Sequence, residues 1–308
     1  MTASISEPRR DATRSGAPAR PRAGHPWLYL MPLVLALGVW IYGPALFTVV
    51  LSVLKWNLTT PPSGFVGLDN FARLIREPEF GQAAGQTLLY ALALLPFSTL
   101  VPAVLAMMLW QRPGKASTVY RSLLFLPVMT APVAVAVSWR FLLNPLQGLA
   151  NEVLTVAGIP PVNWLGDPAI ALVVVVAVTA AKVTGFNMLL YSAALATVDR
   201  RTLEAARLER ASSWEITRFV VAPQLVRTTI LLGLLSVVLA GQWTFATVSL
   251  LTQGGPDGVT DNVYYRIYTY GFQFFDTGTA SAAAVVVLMA FGIVGVAWLL
   301  FRRRNGHR

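Results

Sequence analysis

Six long apolar segments alternate with shorter polar stretches along the 308-residue chain. They cover about residues 27–54, 85–110, 122–143, 168–197, 224–250 and 280–301. Each contains at least 20 residues, and an α-helix rises about 1.5 Å per residue, so each is long enough to cross about 30 Å of hydrocarbon. The pattern predicts an all-α, polytopic membrane protein with about six transmembrane helices.

Proline and glycine positions modify this picture. The stretch 144–167 is rich in both residues and predicts a loop between the third and fourth spans. Prolines inside transmembrane helices are tolerated when neighbouring groups supply the missing hydrogen bonds, and they often produce kinks. The prolines within the predicted spans are Pro32, Pro44, Pro96, Pro102, Pro127 and Pro132.

Composition supports a membrane protein. Mean hydropathy is +0.59, hydrophobic residues make up 55% of the chain and charged residues only 12%, about half the charged fraction of a soluble domain. A soluble protein of this length has no core large enough for so much apolar surface. The chain has no cysteine, so it has no disulfide and no thiolate metal site.

The basic residues predict the orientation. Of 24 Lys and Arg residues, five lie in the N-terminal tail, three in 111–121, six around 200–227 and four at the C-terminus. These regions all fall on one side of the six-span topology, which the positive-inside rule assigns to the cytoplasm. We therefore expect a disordered basic cytoplasmic tail at 1–25, a transmembrane domain at 26–301 and a basic cytoplasmic tail at 302–308. Basic residues clustered at span ends, without a basic groove, also argue against nucleic-acid binding.

A charged segment at about 198–223 separates the fourth and fifth spans. Asp199 is suited to cap a helix that continues to Arg210. Ser212 and Glu215 form a capping-box pattern, which predicts a second helix beginning at Ser213. Pro223 marks the entry to the fifth span. The segment therefore predicts a cytoplasmic helix–turn–helix.

This segment resembles the EAA loop of ABC-importer permeases, which receives the ATPase subunit. The matching residues are Glu204, Ala205, Ala206, Glu209, Ala211, Ser212, Trp214 and Pro223. Arg210 stands where that family has glycine. Because glycine adopts positive φ at low cost and arginine does not, either the turn moves to Ala211-Ser212 or Arg210 keeps the shape with strain.

The resemblance continues over about residues 26–301 and points to the carbohydrate-importing permeases of the maltose or glycerol-3-phosphate type. It is carried by Phe65–Phe71, Arg121–Pro127, Trp164–Pro168, Gly185–Leu190 and Gly254–Pro256.

The resemblance implies a type I ABC-importer permease that moves a sugar or sugar derivative by alternating access across the bacterial inner membrane. Its implied partners are a second permease, two ATP-binding subunits and an extracytoplasmic solute-binding protein. The residues implied in ATPase coupling are Glu204, Ala205, Ala206, Glu209, Arg210, Ala211, Ser212 and Pro223. ATP and Mg²⁺ belong to the ATPase subunits, and the Gly114-Lys115 pair lacks the rest of a phosphate-binding loop.

Lys182 indicates a substrate pathway, because a charge in mid-membrane costs about 2.5–3.5 kcal/mol and is expected to face a cavity or a partner. Gln242 on the fifth span lies at a similar depth, and Asn187 and Tyr191 lie further along the fourth. The alternative for these residues is hydrogen bonding between helices, worth about 0.6 kcal/mol per contact.

The external segment 252–278 is a candidate docking surface for the binding protein. Asp257 and Asp261 are expected to be exposed there, among many aromatic side chains. The alternative for the aromatic residues is a belt at the membrane interface.

Two other classes of function fit less well. A secondary transporter using Lys182 in ion or substrate coupling lacks intramembrane acids in the six predicted spans. A membrane enzyme lacks clustered His, Asp or Glu, since His25 and His307 both lie in the tails. We therefore expect a transport subunit that is not itself an enzyme.

Overall fold

A computed structural model describes residues 26–61 and 64–305. Within these ranges the chain is helical, and its only extended pairing is an isolated bridge between Leu54 and Phe65. The all-α prediction is confirmed. The predicted N-terminal tail lies outside the described residues. The last helix continues to Asn305, so the predicted C-terminal tail begins as helix.

The helices of the described residues are α1 (Pro26–Leu37), α2 (Gly43–Leu51), α3 (Asp69–Arg76), α4 (Pro78–Ser98), α5 (Leu100–Gln111), α6 (Lys115–Met129), α7 (Pro132–Leu142), α8 (Leu149–Val156), α9 (Pro168–Ala196), α10 (Arg200–Leu208), α11 (Ser213–Glu215), α12 (Ala222–Thr247), α13 (Val263–Tyr268) and α14 (Thr277–Asn305). Shorter π-helical turns occupy Gly38–Tyr42, Ile216–Val221, Val248–Thr252 and Thr269–Gln273. The chain forms two compact units, one ending at Phe47 and the other beginning at Thr48.

Five continuous helical stretches in the described residues are long and apolar enough to cross a membrane. They are Tyr29–Leu51, Pro78–Gln111, Pro168–Ala196, Ser213–Thr252 and Thr277–Leu300. The predicted spans 85–110 and 224–250 begin earlier in the structure. α4 already starts at Pro78, and the π-helical turn Ile216–Val221 joins α11 to α12 without a break.

The predicted third span, 122–143, is a broken pair of helices. α6 and α7 meet at 97° across Thr130 and Ala131, which are both extended. Pro132 disfavours a helical conformation at the preceding residue and has no N–H to continue the hydrogen-bond ladder. The kink expected from the prolines therefore occurs here, as a full break. With this pair counted as one, the described residues contain six candidate spans.

The prediction of a loop throughout 144–167 is wrong, because α8 lies within it. The Asn151 side chain holds this helix in place by donating to the carbonyl oxygens of Pro145 and Val162, at 3.1 and 3.0 Å. Its Oδ1 also accepts from the Trp164 indole at 2.9 Å. The breakers therefore bound a short helix, which long-range hydrogen bonds stabilise.

α9 is the central helix of the second unit, and it packs against α4, α5, α6 and α12. Gly185 brings its backbone close to α6, since a Cβ atom there would lie 2.2 Å from the Leu124 carbonyl oxygen. Residues around the whole circumference of α9 are buried, among them Val175, Val183 and Met188. This packing places the middle of α9, with Lys182, beside the break between α6 and α7.

Candidate functional site

The charged segment between the fourth and fifth spans has the predicted helix–turn–helix structure. The Asp199 carboxylate caps α10 by accepting from the Arg201 N–H at 2.9 Å. Leu203 is buried, whereas Glu204 and Ala205 are exposed and Ala206 is half-buried. The helix therefore has one face on the protein and one face free for a partner.

Arg210 occupies the left-handed turn that ends α10. Its φ is 61°, its N–H donates to the Arg207 carbonyl at 3.0 Å, and the Ala211 N–H donates to the Ala206 carbonyl at 3.0 Å. This pair of bonds is the Schellman arrangement, which usually has glycine at the left-handed position. Of the two alternatives for Arg210, the structure shows the strained one.

The predicted capping box is confirmed. The Ser212 N–H donates to Glu215 Oε2 at 2.7 Å, and the Glu215 N–H donates to Ser212 Oγ at 3.3 Å. The second helix begins at Ser213, and Pro223 lies in the first turn of α12. The second helix of the segment and the fifth span thus form one continuous helical element.

The segment is anchored to the transmembrane helices. Leu203, Ile216 and Val221 join a buried cluster with Met188 and Tyr191 of α9. The Gln111 amide at the end of α5 donates to Thr217 Oγ1 at 2.6 Å. A displacement of the segment would therefore be transmitted directly to α5 and α9.

Three large apolar side chains project from the same segment. Leu208 is 85% exposed, and Trp214 and Phe219 are each 68% exposed. Exposed apolar groups beside charged ones are typical of a protein interface. Sequence reasoning did not single out Leu208, because an apolar residue in an amphipathic helix is ordinarily expected on the buried face.

Lys182 lines a cavity of about 120 Å³ between α7, α9, α12 and the α6–α7 break. Among residues 26–61 and 64–305, Lys182 makes no hydrogen bond and no ion pair. The other polar or aromatic residues of the wall are Thr130, Trp139, Thr179, Trp243 and Thr247.

The other three predicted pathway residues are not brought to this cavity. Asn187 is buried and donates to the Ser98 carbonyl at 2.8 Å. The Tyr191 hydroxyl donates to Thr229 Oγ1 at 3.0 Å. Gln242 is exposed on α12 and does not line the cavity. Asn187 and Tyr191 thus make the interhelical hydrogen bonds that were the alternative interpretation.

The segment 252–278, which is predicted to be external, folds back onto α4. Asp257 is exposed, as expected, but the expected exposure of Asp261 is wrong, since only 2% of its surface is accessible. The cost of burying Asp261 is offset by the Arg266 guanidinium, with which it pairs, and by the Asn262 N–H, from which it accepts. Burial raises the pKa of Asp261 above its usual range, and Arg266 acts in the opposite direction.

The aromatic residues of this segment differ in exposure. Tyr265 and Tyr270 are buried and Tyr264 is half-buried, whereas Tyr268, Phe272, Phe274 and Phe275 are exposed. Tyr268 stacks on Phe272 with ring centroids 5.4 Å apart. The exposed group offers a contact surface on this segment.

The sequence model of one protein family, described as binding-protein-dependent transport system inner membrane component, matches residues 103–304. The chain belongs to this family. The match includes the helix–turn–helix, the broken third span and Lys182. Membership identifies a transport component of the inner membrane, and a secondary transporter has no support.

Curated relatives match over most of the chain. A probable ABC transporter permease protein, y4oQ of Sinorhizobium fredii, is 30% identical over 282 residues, which cover 90% of this chain and 88% of the relative. The lactose transport permease LacF of Rhizobium radiobacter is 30% identical and covers 85% and 89%. The sn-glycerol-3-phosphate permease UgpA of Pectobacterium atrosepticum is 29% identical and covers 90% and 92%.

The fold is shared with a solved transporter chain. A chain of a bacterial ABC transporter involved in alginate import superposes with a TM-score of 0.78. The match covers 91% of this chain and 95% of that one at 23% identity. The membrane permease architecture is therefore shared with an ABC importer.

Proposed function

We propose that this family member is the membrane-spanning permease subunit of an ATP-driven importer of a sugar or sugar derivative, working by alternating access. Relatives named for lactose, trehalose/maltose and sn-glycerol-3-phosphate transport support this substrate class. Each covers at least 85% of the chain, which supports a similar function for the whole permease.

The observation that carries the proposal is the anchored helix–turn–helix at the end of α9. Its exposed face presents Glu204, Glu209 and the apolar Leu208 and Trp214 to a partner. Its buried face contacts α5 and α9 through Leu203 and Thr217. The proposed ATPase-coupling residues are Glu204, Ala205, Ala206, Glu209, Arg210, Ala211, Ser212 and Pro223.

The segment is suited to transmit a movement. The Schellman turn and the capping box hold its two helices at a defined angle, because each satisfies backbone groups that would otherwise bind water. When two ATP-binding subunits close around ATP and Mg²⁺, they would move this rigid element. The buried contacts would pass the movement to α5 and α9 and change the side on which the pathway opens.

The remaining assembly follows from the same proposal. This chain pairs with a second permease subunit, and an extracytoplasmic solute-binding protein docks on the external segment around the exposed Asp257. Both termini, with the tails 1–25 and 302–308, and the coupling segment face the cytoplasm, on the side where the basic residues collect.

The substrate passes along the cavity beside Lys182, with Gln242 facing the partner permease. Asn187 and Tyr191 support this path by fixing α9 to α4 and α12. Non-helical backbone at membrane depth is tolerated where it lines a cavity, and the α6–α7 break meets that condition.

Replacement Glu204→Lys tests the coupling assignment. Because Glu204 is exposed on α10, the variant should assemble in the membrane, while the reversed charge repels basic groups of an ATPase. We expect uptake into proteoliposomes to fall at least tenfold, with ATP hydrolysis no longer stimulated by the loaded binding protein.

Glu152→Lys is the matched control, since Glu152 is also exposed on a short helix, α8, outside the coupling segment. It should keep both activities. Normal uptake by the Glu204→Lys transporter would count against the coupling assignment.

A further inference from the structure

Lys182 stands at the midpoint of its span. It is 14 residues from both Pro168 and Ala196, or about 21 Å from either end at 1.5 Å per residue. It lines a cavity and has no hydrogen-bonding or ionic partner in the part of the chain that the structure describes. A cation in this position attracts a counter-charge, because the low dielectric of its surroundings strengthens electrostatic interactions.

The part of the chain that the structure describes does not supply that counter-charge. Acidic residues within the described spans are confined to first turns, at Glu79 of α4 and Glu215 of α11. Asp167 and Asp276 lie just before their spans, where they accept N–H groups of the helix starts at Ala169 and Thr279. The positive charge at the centre of α9 is therefore open to an external anion.

The rest of the cavity wall is suited to an anionic sugar. Thr130, Thr179 and Thr247 offer hydroxyl groups, and Thr179 and Thr247 bond to each other at 3.2 Å. Trp139 and Trp243 offer flat apolar surfaces for the carbon face of a sugar. α7 begins at the same wall with no side-chain cap, so its positive helix end adds to the field of Lys182.

The cavity size indicates which part of a substrate it receives. A cavity of about 120 Å³ has room for a small charged group such as a carboxylate or phosphate, since one water molecule needs only about 10–15 Å³ of such space. The cavity can therefore receive a charged substituent of a substrate.

We propose that the imported carbohydrate carries a carboxylate or phosphate group, and that Lys182 receives this group in the cavity during transport. This inference rests on the proposed import function and deepens it. Family membership alone leaves the charge open, since relatives named for neutral lactose and for anionic sn-glycerol-3-phosphate are 30% and 29% identical to the chain.

The experiment uses the complete transporter in proteoliposomes with its binding protein outside and ATP inside. The ligand that copurifies with the binding protein is first identified by mass spectrometry, and it should be an acidic or phosphorylated carbohydrate. Uptake of that ligand is then compared with uptake of sn-glycerol 3-phosphate, digalacturonate, lactose and maltose. We expect ATP-dependent uptake of the copurifying ligand and of those anionic probes that the binding protein accepts, and none of lactose or maltose.

Variants of Lys182 complete the test. Lys182→Met should lower anion uptake at least tenfold, whereas Lys182→Arg, which keeps the charge, should retain most of it. Arg140→Met is the matched control, because Arg140 is an exposed basic residue at the end of α7 that does not line the cavity. Anion uptake by this variant should equal that of the parent.

The outcomes distinguish the two proposals. A neutral copurifying ligand, or uptake of lactose or maltose at the rate of the anions, overturns the anionic subsite while leaving the sugar importer intact. Unchanged anion uptake by Lys182→Met also overturns the anionic subsite. So does the combination of a neutral substrate with a Lys182→Met subunit that no longer assembles with the second permease, which would show that Lys182 pairs with an acid of that subunit. A non-carbohydrate ligand, or uptake without ATP dependence, refutes the proposed import function itself.

Discussion

Arg210 adopts a left-handed backbone conformation that residues with a Cβ atom disfavour. The residue adopts φ of 61° because both Schellman hydrogen bonds, to Arg207 and Ala206, require a left-handed residue between them. An L residue other than glycine in this region costs about 1–2 kcal/mol. The turn retains its shape because the bonds around it and the buried Leu203 outweigh that cost.

Replacement Arg210→Gly should raise the free energy of unfolding by about 1 kcal/mol, because it removes the steric strain at positive φ. The measurement is the thermal midpoint of the purified transporter in detergent. Glu209→Gly is the control: Glu209 has φ of −75°, so glycine there only adds unfolded-state freedom and should lower the midpoint. A lower midpoint for Arg210→Gly would contradict the assignment of strain to this residue.

At the scale of elements, α9 depends on close packing along its whole length. Gly185 lets the α6 backbone approach α9, and the Asn187 side chain fastens the next turn to α4. Such contacts between helices matter in a membrane, where apolar surface gains little from leaving lipid. They keep the Lys182 cavity at a defined place beside the α6–α7 break.

Replacement Gly185→Ala should destabilise the permease by about 1–3 kcal/mol, since the new Cβ would lie 2.2 Å from the rigid Leu124 carbonyl oxygen. Gly292→Ala in α14 is the matched control, because nothing lies within 4 Å of a Cβ there. Thermal unfolding of the two variants should differ clearly, with Gly292→Ala equal to or above the parent. Equal midpoints would show that α6 moves away freely.

At the scale of the whole molecule, the orientation across the membrane determines which partner each surface can reach. The basic residues predict that the coupling segment and the 111–121 loop share the cytoplasmic side, and that α8 lies outside. The chain has no cysteine, so one introduced thiol reports on one position.

Ala116→Cys and Gln147→Cys test this orientation. Both residues are exposed, one at the start of α6 and one before α8. A membrane-impermeant maleimide added to intact spheroplasts should label Gln147→Cys and leave Ala116→Cys unlabelled, and both should react after lysis. The reverse pattern would invert the topology and place the coupling segment away from ATP.

Several features were readable from the sequence because they depend on neighbours within a few residues. Asp199 and the Ser212–Glu215 box bond to N–H groups two or three positions away, so a local pattern was sufficient. The spans follow from continuous runs of apolar residues and from the length needed to cross a bilayer.

Other features required the tertiary structure, because distant groups decide them. Asp261 is buried because the external segment folds back, with the Tyr90 hydroxyl of α4 donating to the Thr260 carbonyl at 2.8 Å. The sequence by itself determined the apolar spans, the caps of the coupling segment and the collection of basic residues on one side of the predicted topology. Only the packing of α9 against α7 and α12 decided that Lys182 faces a cavity while Asn187 and Tyr191 bond to neighbouring helices, because residues far apart in sequence form those walls.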